Sequence, residues 1–580
     1  MKNTFVSALT ALASSSLSSA IPLAAESSAL AARQSCENTA TSRSCWGDYS
    51  IDTNYYETVP NTGVTREYWL SIQNETVNAD GYNRQGLTIN GTIPGPEIIA
   101  DWGDNLIIHV TNNMEHNGTT LHWHGIRQLN SVEYDGVPGV TQCPIAPGDS
   151  LSYKFHATQY GTSWYHSHFI LQYGDGVQGP IIINGPATAD YDEDLGAMFL
   201  SDWSHIPAQQ LWDSAKLGGP PSLENGLING TNTYDCSTST DPNCVGGGVK
   251  NVNIFESGKK YRLRLVNSAV DGHFQFSIDG HSFTVIANDF VPIVPYETDN
   301  LSISIGQRYD IIVDANATVG DYWLRAGWVL ACGQNGNADE ITAIIRYDAS
   351  STADPTTTSA ITTAATCGDE PAASLVPHLA MNVEAVNNFQ QLDLGVSFVG
   401  YTHWLLNGSS LLLDWADPTT LKVFNNESIF PTEYNVQPLE NTSAEDIWTY
   451  WVIEDDTGFG ITHPLHLHGH DFWLLAQDTG MFNAATVDLK LVNPPRRDVA
   501  SLPGNGYIVM AFKKDNPGSW LMHCHIAWHA SEGFAMQFVE SPSHIADTMT
   551  ADDVSIFGDT CATWDQYDPL AVFQQDDSGI

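Results

Sequence analysis

The sequence predicts an all-β protein made of several β-sandwich or β-barrel domains, and three observations carry this. First, 580 residues with 42% hydrophobic content exceed one core and suit two to four domains. Second, 47 Gly and 28 Pro punctuate the chain and long helical heptads are absent, the pattern of short strands joined by turns. Third, the chain repeats itself. Leu121-His122-Trp123-His124-Gly125 returns as Leu465-His466-Leu467-His468-Gly469, and each copy is followed by a second His pair, His166/His168 and His523/His525. A degenerate copy lies between them: Phe276–Phe283 aligns with Leu465–Phe472, with Ser277 and Asp279 at the two His positions. Three related units follow, of which the first and last bear the chemistry.

Residues 1–20 read as a secretory signal, with Lys2 as the positive start, an apolar stretch from Phe5 to Ala13 and small residues at Ser18-Ser19-Ala20. A pro-segment at 21–33 follows, ending at Arg33. The units are placed at 34–187, 188–349 and 367–580, with a Ser/Thr/Ala-rich linker at 350–366. No later run of 18 apolar residues exists, so no membrane span is expected. The formal net charge of −45, from 67 acids against 22 bases, argues against nucleic acid as a partner. It fits solubility outside the cell or an acidic working pH. Sequons at Asn74, Asn90, Asn117, Asn229, Asn300, Asn316, Asn407, Asn426 and Asn441 agree with secretion. Of nine Cys, eight can pair in an oxidising compartment and one is left over. Cys524 stands out as the odd one, because it lies between two His.

The histidines carry the function. Four H-x-H motifs occur, at 122/124, 166/168, 466/468 and 523/525, where composition alone predicts about 0.7. Residues i and i+2 of a strand share a face, so each motif offers two imidazoles to one side. Eight imidazoles from two units exceed the needs of one ion and suit a cluster. In an extended His523-Cys524-His525, the thiol faces opposite to its neighbours and binds a different metal, one residue away from the cluster. A soft thiolate beside imidazoles suits copper or zinc. Zinc has no redox chemistry that would need such wiring, and copper has. His463 and His529 are available to complete a Cys-His-His site.

His122-Trp123-His124-Gly125, His166-Ser167-His168, His463-Pro464-Leu465-His466-Leu467-His468-Gly469 and His523-Cys524-His525-Ile526-Ala527-Trp528-His529 resemble the four copper motifs of multicopper oxidases. Ala527-Trp528 and the end Asp577-Ser578-Gly579-Ile580 resemble the laccases of ascomycete fungi. The resemblance runs from about Cys36 to the end. It implies three consecutive cupredoxin-like Greek-key β-barrel domains and four copper ions. Type 1 copper would take His463, Cys524 and His529, and type 2 copper His122 and His466. The two type 3 coppers would take His124, His166, His168, His468, His523 and His525. It further implies a secreted monomer that oxidises small phenolic and related aromatic substrates and reduces O₂ to water, with no nucleic-acid or membrane partner.

The resemblance also assigns softer roles. Phe534, ten residues after the Cys, stands at the axial position and cannot coordinate, which raises the potential. Asp271 matches the substrate acid, Trp404 and Trp528 match pocket aromatics, and Asp135 matches an acid on the proton path. Where basidiomycete relatives place a second relay Asp, this chain has Ala527. The tail Asp577, Ser578, Gly579 and Ile580 would plug the tunnel to the cluster. The implied disulfides are Cys36–Cys45, Cys143–Cys561 and Cys332–Cys367, and Cys236–Cys244 follows by elimination. A ferroxidase, needing acids beside His463 and His529, and a non-catalytic copper-binding wall protein are the alternatives.

Overall fold

Strand burial follows the alternation of side chains. Thr65–Asn78, Asn105–Asn112 and Ser150–His156 alternate inward apolar and outward polar residues, as half-buried strands do. Gly161–His166, His463–Leu467 and Gly518–Cys524 are buried at every position. One face of each packs on its own sandwich, and the other meets a neighbouring domain. The computed structural model describes residues 36–361, 364, 366–384, 388–440, 447–572 and 574–580. The signal, the pro-segment and the sequon at Asn441 lie outside the described residues.

Three two-sheet sandwiches succeed one another. The first joins a four-stranded sheet around Thr65–Asn78 and Asn105–Asn112 to one around Gly161–His166 and Gln178–Asn184. The second and third each pair a six-stranded with a five-stranded sheet. All three repeat one topology, in which each sheet contains a parallel pair. In one sheet of each sandwich Thr65–Asn78 runs beside Asn105–Asn112, Glu193–Trp203 beside Lys260–Asn267, and Gln390–Ser397 beside Trp448–Asp455. In the other sheets the pairs are Ile98–Asp101 with Gln178–Asn184, Val252–Ile254 with Thr342–Arg346, and Val436–Leu439 with Ala535–Glu540. The internal repeat of the sequence is therefore a repeat of architecture.

The middle copy uses its altered positions for packing. Asp279, at a lost His position, forms a two-pronged ion pair with Arg325 (2.8 Å to each oxygen). The second and third sandwiches share one apolar core that includes Phe276, Trp328, Trp451 and Cys524. The first has its own core around Trp102 and Trp123.

The three disulfides implied by the resemblance and the fourth, Cys236–Cys244, are present, and among the described residues Cys524 is the free thiol. Cys143–Cys561 ties the first domain to the helix Ala551–Tyr567. That helix begins in a capping box between Thr550 and Asp553, and Tyr134 donates to the same Asp553 at 2.5 Å. The eight described sequon Asn are exposed or half-buried. No helix among the described residues is long and apolar enough to cross a membrane.

Candidate metal centre

The two H-x-H couples meet across a domain boundary. His122 pairs with His166 in antiparallel register in the first sandwich, and His466 pairs with His523 in the third. The first-domain and third-domain motifs then stack on one another, His122 on His468 (4.0 Å) and His124 on His466 (3.8 Å). Six of the eight rings fall into two triangles. His124, His166 and His525 lie 5.1–5.7 Å apart between ring centres. His168, His468 and His523 lie 5.1–5.3 Å apart. His122 and His466 remain as a pair at 5.8 Å.

The hydrogen bonds say which nitrogen faces inward. His122, His166, His466 and His523 hold Nδ1 against the backbone carbonyls of Asp135, Ser167, Asp498 and Cys524 at 2.7–3.0 Å, and His468 holds it against Asp135 Oδ2 at 2.8 Å. Each of these Nδ1–H groups donates, which leaves the Nε2 lone pair free. All five Nε2 atoms are buried without a hydrogen-bond partner. His124 is turned the other way. Its Nδ1 faces His525 Nε2 at 3.4 Å, and its Nε2 lies 3.3 Å from Asp498 Oδ1, off line for a hydrogen bond.

Burial favours the neutral form in seven of the eight rings. It pushes His124, His166, His168, His466, His468 and His525 well below the ordinary imidazole range, and His523 down to about 4. Neutral imidazoles with orphaned lone pairs, flanked by the carboxylates of Asp135 and Asp498, suit cations.

The second site lies on the other face of the same strand. Leu465 pairs with Cys524 and His466 with His523, so the thiol points into the third-domain core and the imidazole into the cluster. His463 is three residues before His466 and shares the Cys524 face; His529 comes from the short helix Ala527–Ser531. Cys524 Sγ lies 3.8 Å from His463 Nδ1 and 3.7 Å from His529 Nδ1, and those nitrogens are 3.1 Å apart. This triangle offers one sulfur and two nitrogens to a single ion. Phe534 is fully buried with its ring 5.1 Å from His463, in place of a fourth donor. Zinc favours four ligands, whereas a three-donor set of Cys and two His suits copper. Burial lowers His463 to about 3 and raises the Cys524 thiol.

Trp404 caps this triangle, 4.5 Å from His529 and 4.9 Å from His463 between ring centres. Its Nε1 donates to Glu532 at 3.1 Å. Burial raises Glu532 to about 7, against the pull of that hydrogen bond. Glu532 was not legible in the sequence, because it sits in a turn among 67 acids. Trp528 is buried in the shared core. Asp271 lies in the loop whose Val270 carbonyl accepts from Ala527 N at 2.9 Å. Its Oδ2 has no partner, and burial with nearby Asp202 raises it to about 8.

The tail folds inward. Ser578 Oγ donates to Ala530 O at 2.7 Å, Ser578 O accepts from Leu413 N at 3.0 Å, and Gly579 O accepts from Trp415 Nε1 at 2.8 Å. Ile580 is 3% exposed and lines a small cavity with His166, His168, His523 and His525. A larger cavity of about 540 Å³ lies outside it, bounded by Trp415, Tyr567 and Asp577, and shares Ile170 and Leu171 with the inner one.

Known proteins bear on this geometry. The family described as Multicopper oxidase matches at residues 71–188, 196–350 and 410–544. Laccase-2 of Botryotinia fuckeliana is 63% identical over 584 residues, and Laccase-1 of the same fungus 60% over 582; each alignment covers all of both chains. The solved laccase of Botrytis aclada is 64% identical with a TM-score of 0.91, covering 94% of this chain and all of that one. Matched in all three sandwiches and along its full length, the chain belongs to the multicopper oxidase family and stands with its fungal laccases.

Proposed function

We propose that this enzyme is a secreted laccase that oxidises phenolic and related aromatic substrates one electron at a time and reduces O₂ to water. The observation that carries the reading is the single strand holding Cys524 on one face and His523 on the other, which joins the two sites by one residue. His463, Cys524 and His529 would hold a type 1 copper, and His122 and His466 a type 2 copper. The triangles His124–His166–His525 and His168–His468–His523 would each hold one type 3 copper. Copper bound at these places supplies one-electron transfer at the sulfur site and four-electron reduction of O₂ at the cluster.

The protein's own groups do the rest. Trp404 and Phe534 exclude water from the Cys524 side, and Phe534 offers no fourth donor, which would favour the reduced state of a copper held there. One peptide unit in each direction joins Cys524 to His523 and His525, the short link between the two sites. Asp135 orients His122 and His468 and stands ready to pass protons to the cluster. Asp271 accepts the proton that a phenol releases on oxidation. The chain acts as a monomer on small molecules.

O₂ uptake with dimethoxyphenol and with Fe²⁺ offered separately tests the reading, with peroxide assayed alongside. Fast uptake on the phenol without peroxide is the expected result. Preference for Fe²⁺ overturns the phenol reading in favour of metal oxidation, and no uptake by copper-loaded protein leaves a binding protein.

Two further outcomes are expected here. Asp271 holds its proton below about 8 and accepts another group's proton only once ionised. Below that value kcat/KM for phenols therefore climbs with pH, up to about tenfold per unit. A donor that releases no proton does not follow this rise, and Asp271→Asn removes it; a rise that survives in Asp271→Asn refutes the role. Deleting residues 577–580 unseals the inner cavity, and turnover falls about tenfold or more from lost order at the cluster. Unchanged turnover and copper content in the truncation sink the plug.

A further inference from the structure

We infer that the middle domain, which has lost its His ligands, positions the cluster through the turn Ser304–Arg308. This rests on the assignment of His124, His466 and His525 as cluster ligands. The turn links the strands Asn300–Ile303 and Arg308–Asp314 of the second sandwich and reaches across to both ligand-bearing domains.

Three contacts carry the inference. Gly306 lies against the cluster rings: a Cβ there would sit 2.9 Å from His525 Cδ2 and 3.1 Å from His124 Cε1. Its φ of +81° also belongs to the left-handed region, so two independent constraints demand glycine. Gln307 Nε2 donates to the carbonyl of Val499 at 3.3 Å, beside Asp498. Arg308, 1% exposed, grips Asp498 with both prongs, Nη1 to Oδ1 at 2.5 Å and Nη2 to Oδ2 at 2.6 Å. The same guanidinium donates to Thr162 O in the first domain at 3.3 Å. One side chain of the ligand-free domain thus bridges the two domains that supply ligands.

The consequence falls on His124. With Nδ1 facing His525, its Nε2 is turned to Asp498 Oδ1 at 3.3 Å. The backbone carbonyl of Asp498 also holds His466 Nδ1 at 2.9 Å. Asp498 therefore holds His466 through its backbone carbonyl and lies beside His124 through its carboxylate, which the Arg308 fork keeps in place. Gly125 closes the arrangement, since a Cβ there would meet Asp498 Oδ2 at 2.3 Å and Arg308 Nη2 at 2.5 Å. Arg308 and Gly306 are positioning residues: neither offers an atom to a metal or a substrate.

The full-length holoenzyme carrying Gly306→Ala, Arg308→Lys or Arg308→Met tests this. Copper content, the type 2 paramagnetic resonance signal, the near-ultraviolet band of the type 3 pair and the blue band are measured, with Tm for each variant. Gly306→Ala and Arg308→Met are expected to bind cluster copper about 10–100-fold more weakly while the blue band keeps its full intensity. Arg308→Lys, which keeps the charge and loses the fork, falls between Arg308→Met and the parent. Unchanged cluster signals in Gly306→Ala and Arg308→Met overturn the inference. Parallel loss of the blue band and of Tm overturns it too, because it assigns the turn a merely structural role. A parent enzyme without cluster signals would instead defeat the underlying ligand assignment.

Discussion

Cys524→Ser is expected to abolish the blue absorption and to lower phenol oxidation by about a thousandfold or more, equivalent to roughly 4 kcal/mol of lost transition-state stabilisation. The sulfur lies 3.7–3.8 Å from the two imidazole nitrogens that complete its triangle. A serine hydroxyl is hard and neutral, so the site loses both the soft donor and the charge that favour copper there. The cluster should survive, because His523 and His525 point away from Cys524 and keep their own partners. Copper stoichiometry falls from four to three in this variant, with the cluster signals intact. Blue colour retained in Cys524→Ser would contradict the assignment outright.

Asp135→Asn carries the next largest effect, a fall of about 100-fold in the rate at which O₂ reoxidises the reduced enzyme. Asp135 holds two ligands of different domains: its carbonyl accepts from His122 Nδ1 at 2.7 Å, and its Oδ2 accepts from His468 Nδ1 at 2.8 Å. An amide in its place can keep its oxygen on the His468 N–H, but it then turns an NH₂ toward His122 Nδ1, which lies 3.3 Å from Oδ1. A carboxylate that could carry protons to the cluster is gone, and that loss is what slows reoxidation. Substrate still reduces the blue site at its parental rate, so stopped-flow recovery of the blue band under O₂ isolates the defect. Equal recovery rates in variant and parent would remove Asp135 from the mechanism.

Parity explains why so many of the clustered side chains were legible. An even spacing keeps two residues on one face of a strand and an odd spacing separates them. His466 and His468 are two apart and face the cluster together; His463, three before His466, faces Cys524. Cys524 is one residue from His523 and His525 and faces away from both. The altered middle repeat was legible for the same reason, since Ser277 and Asp279 occupy the aligned positions, and Asp279 pairs with Arg325.

The supporting residues were not legible, because nothing local marks them. Arg308 meets Asp498 across 190 positions, His124 meets His525 across 401, and Gly579 meets Trp415 across 164. Glu532 is distinguished from other acids only by the Trp404 indole it accepts from. Asp271 matched a family position in the sequence, and only the fold revealed that its carboxyl is buried, unpaired and raised to about 8.

By itself, then, the sequence determined the number of repeated units, the donor types and which ligands share a strand face, because side-chain direction along a strand follows from covalent geometry. The tertiary structure alone decided how six of the imidazoles divide into two triangles beside the His122–His466 pair, and which nitrogen most of them turn inward. It alone decided that a ligand-free domain should hold the carboxylate between them. Those features depend on packing between chains of contacts hundreds of residues apart, where no period in the sequence records who meets whom.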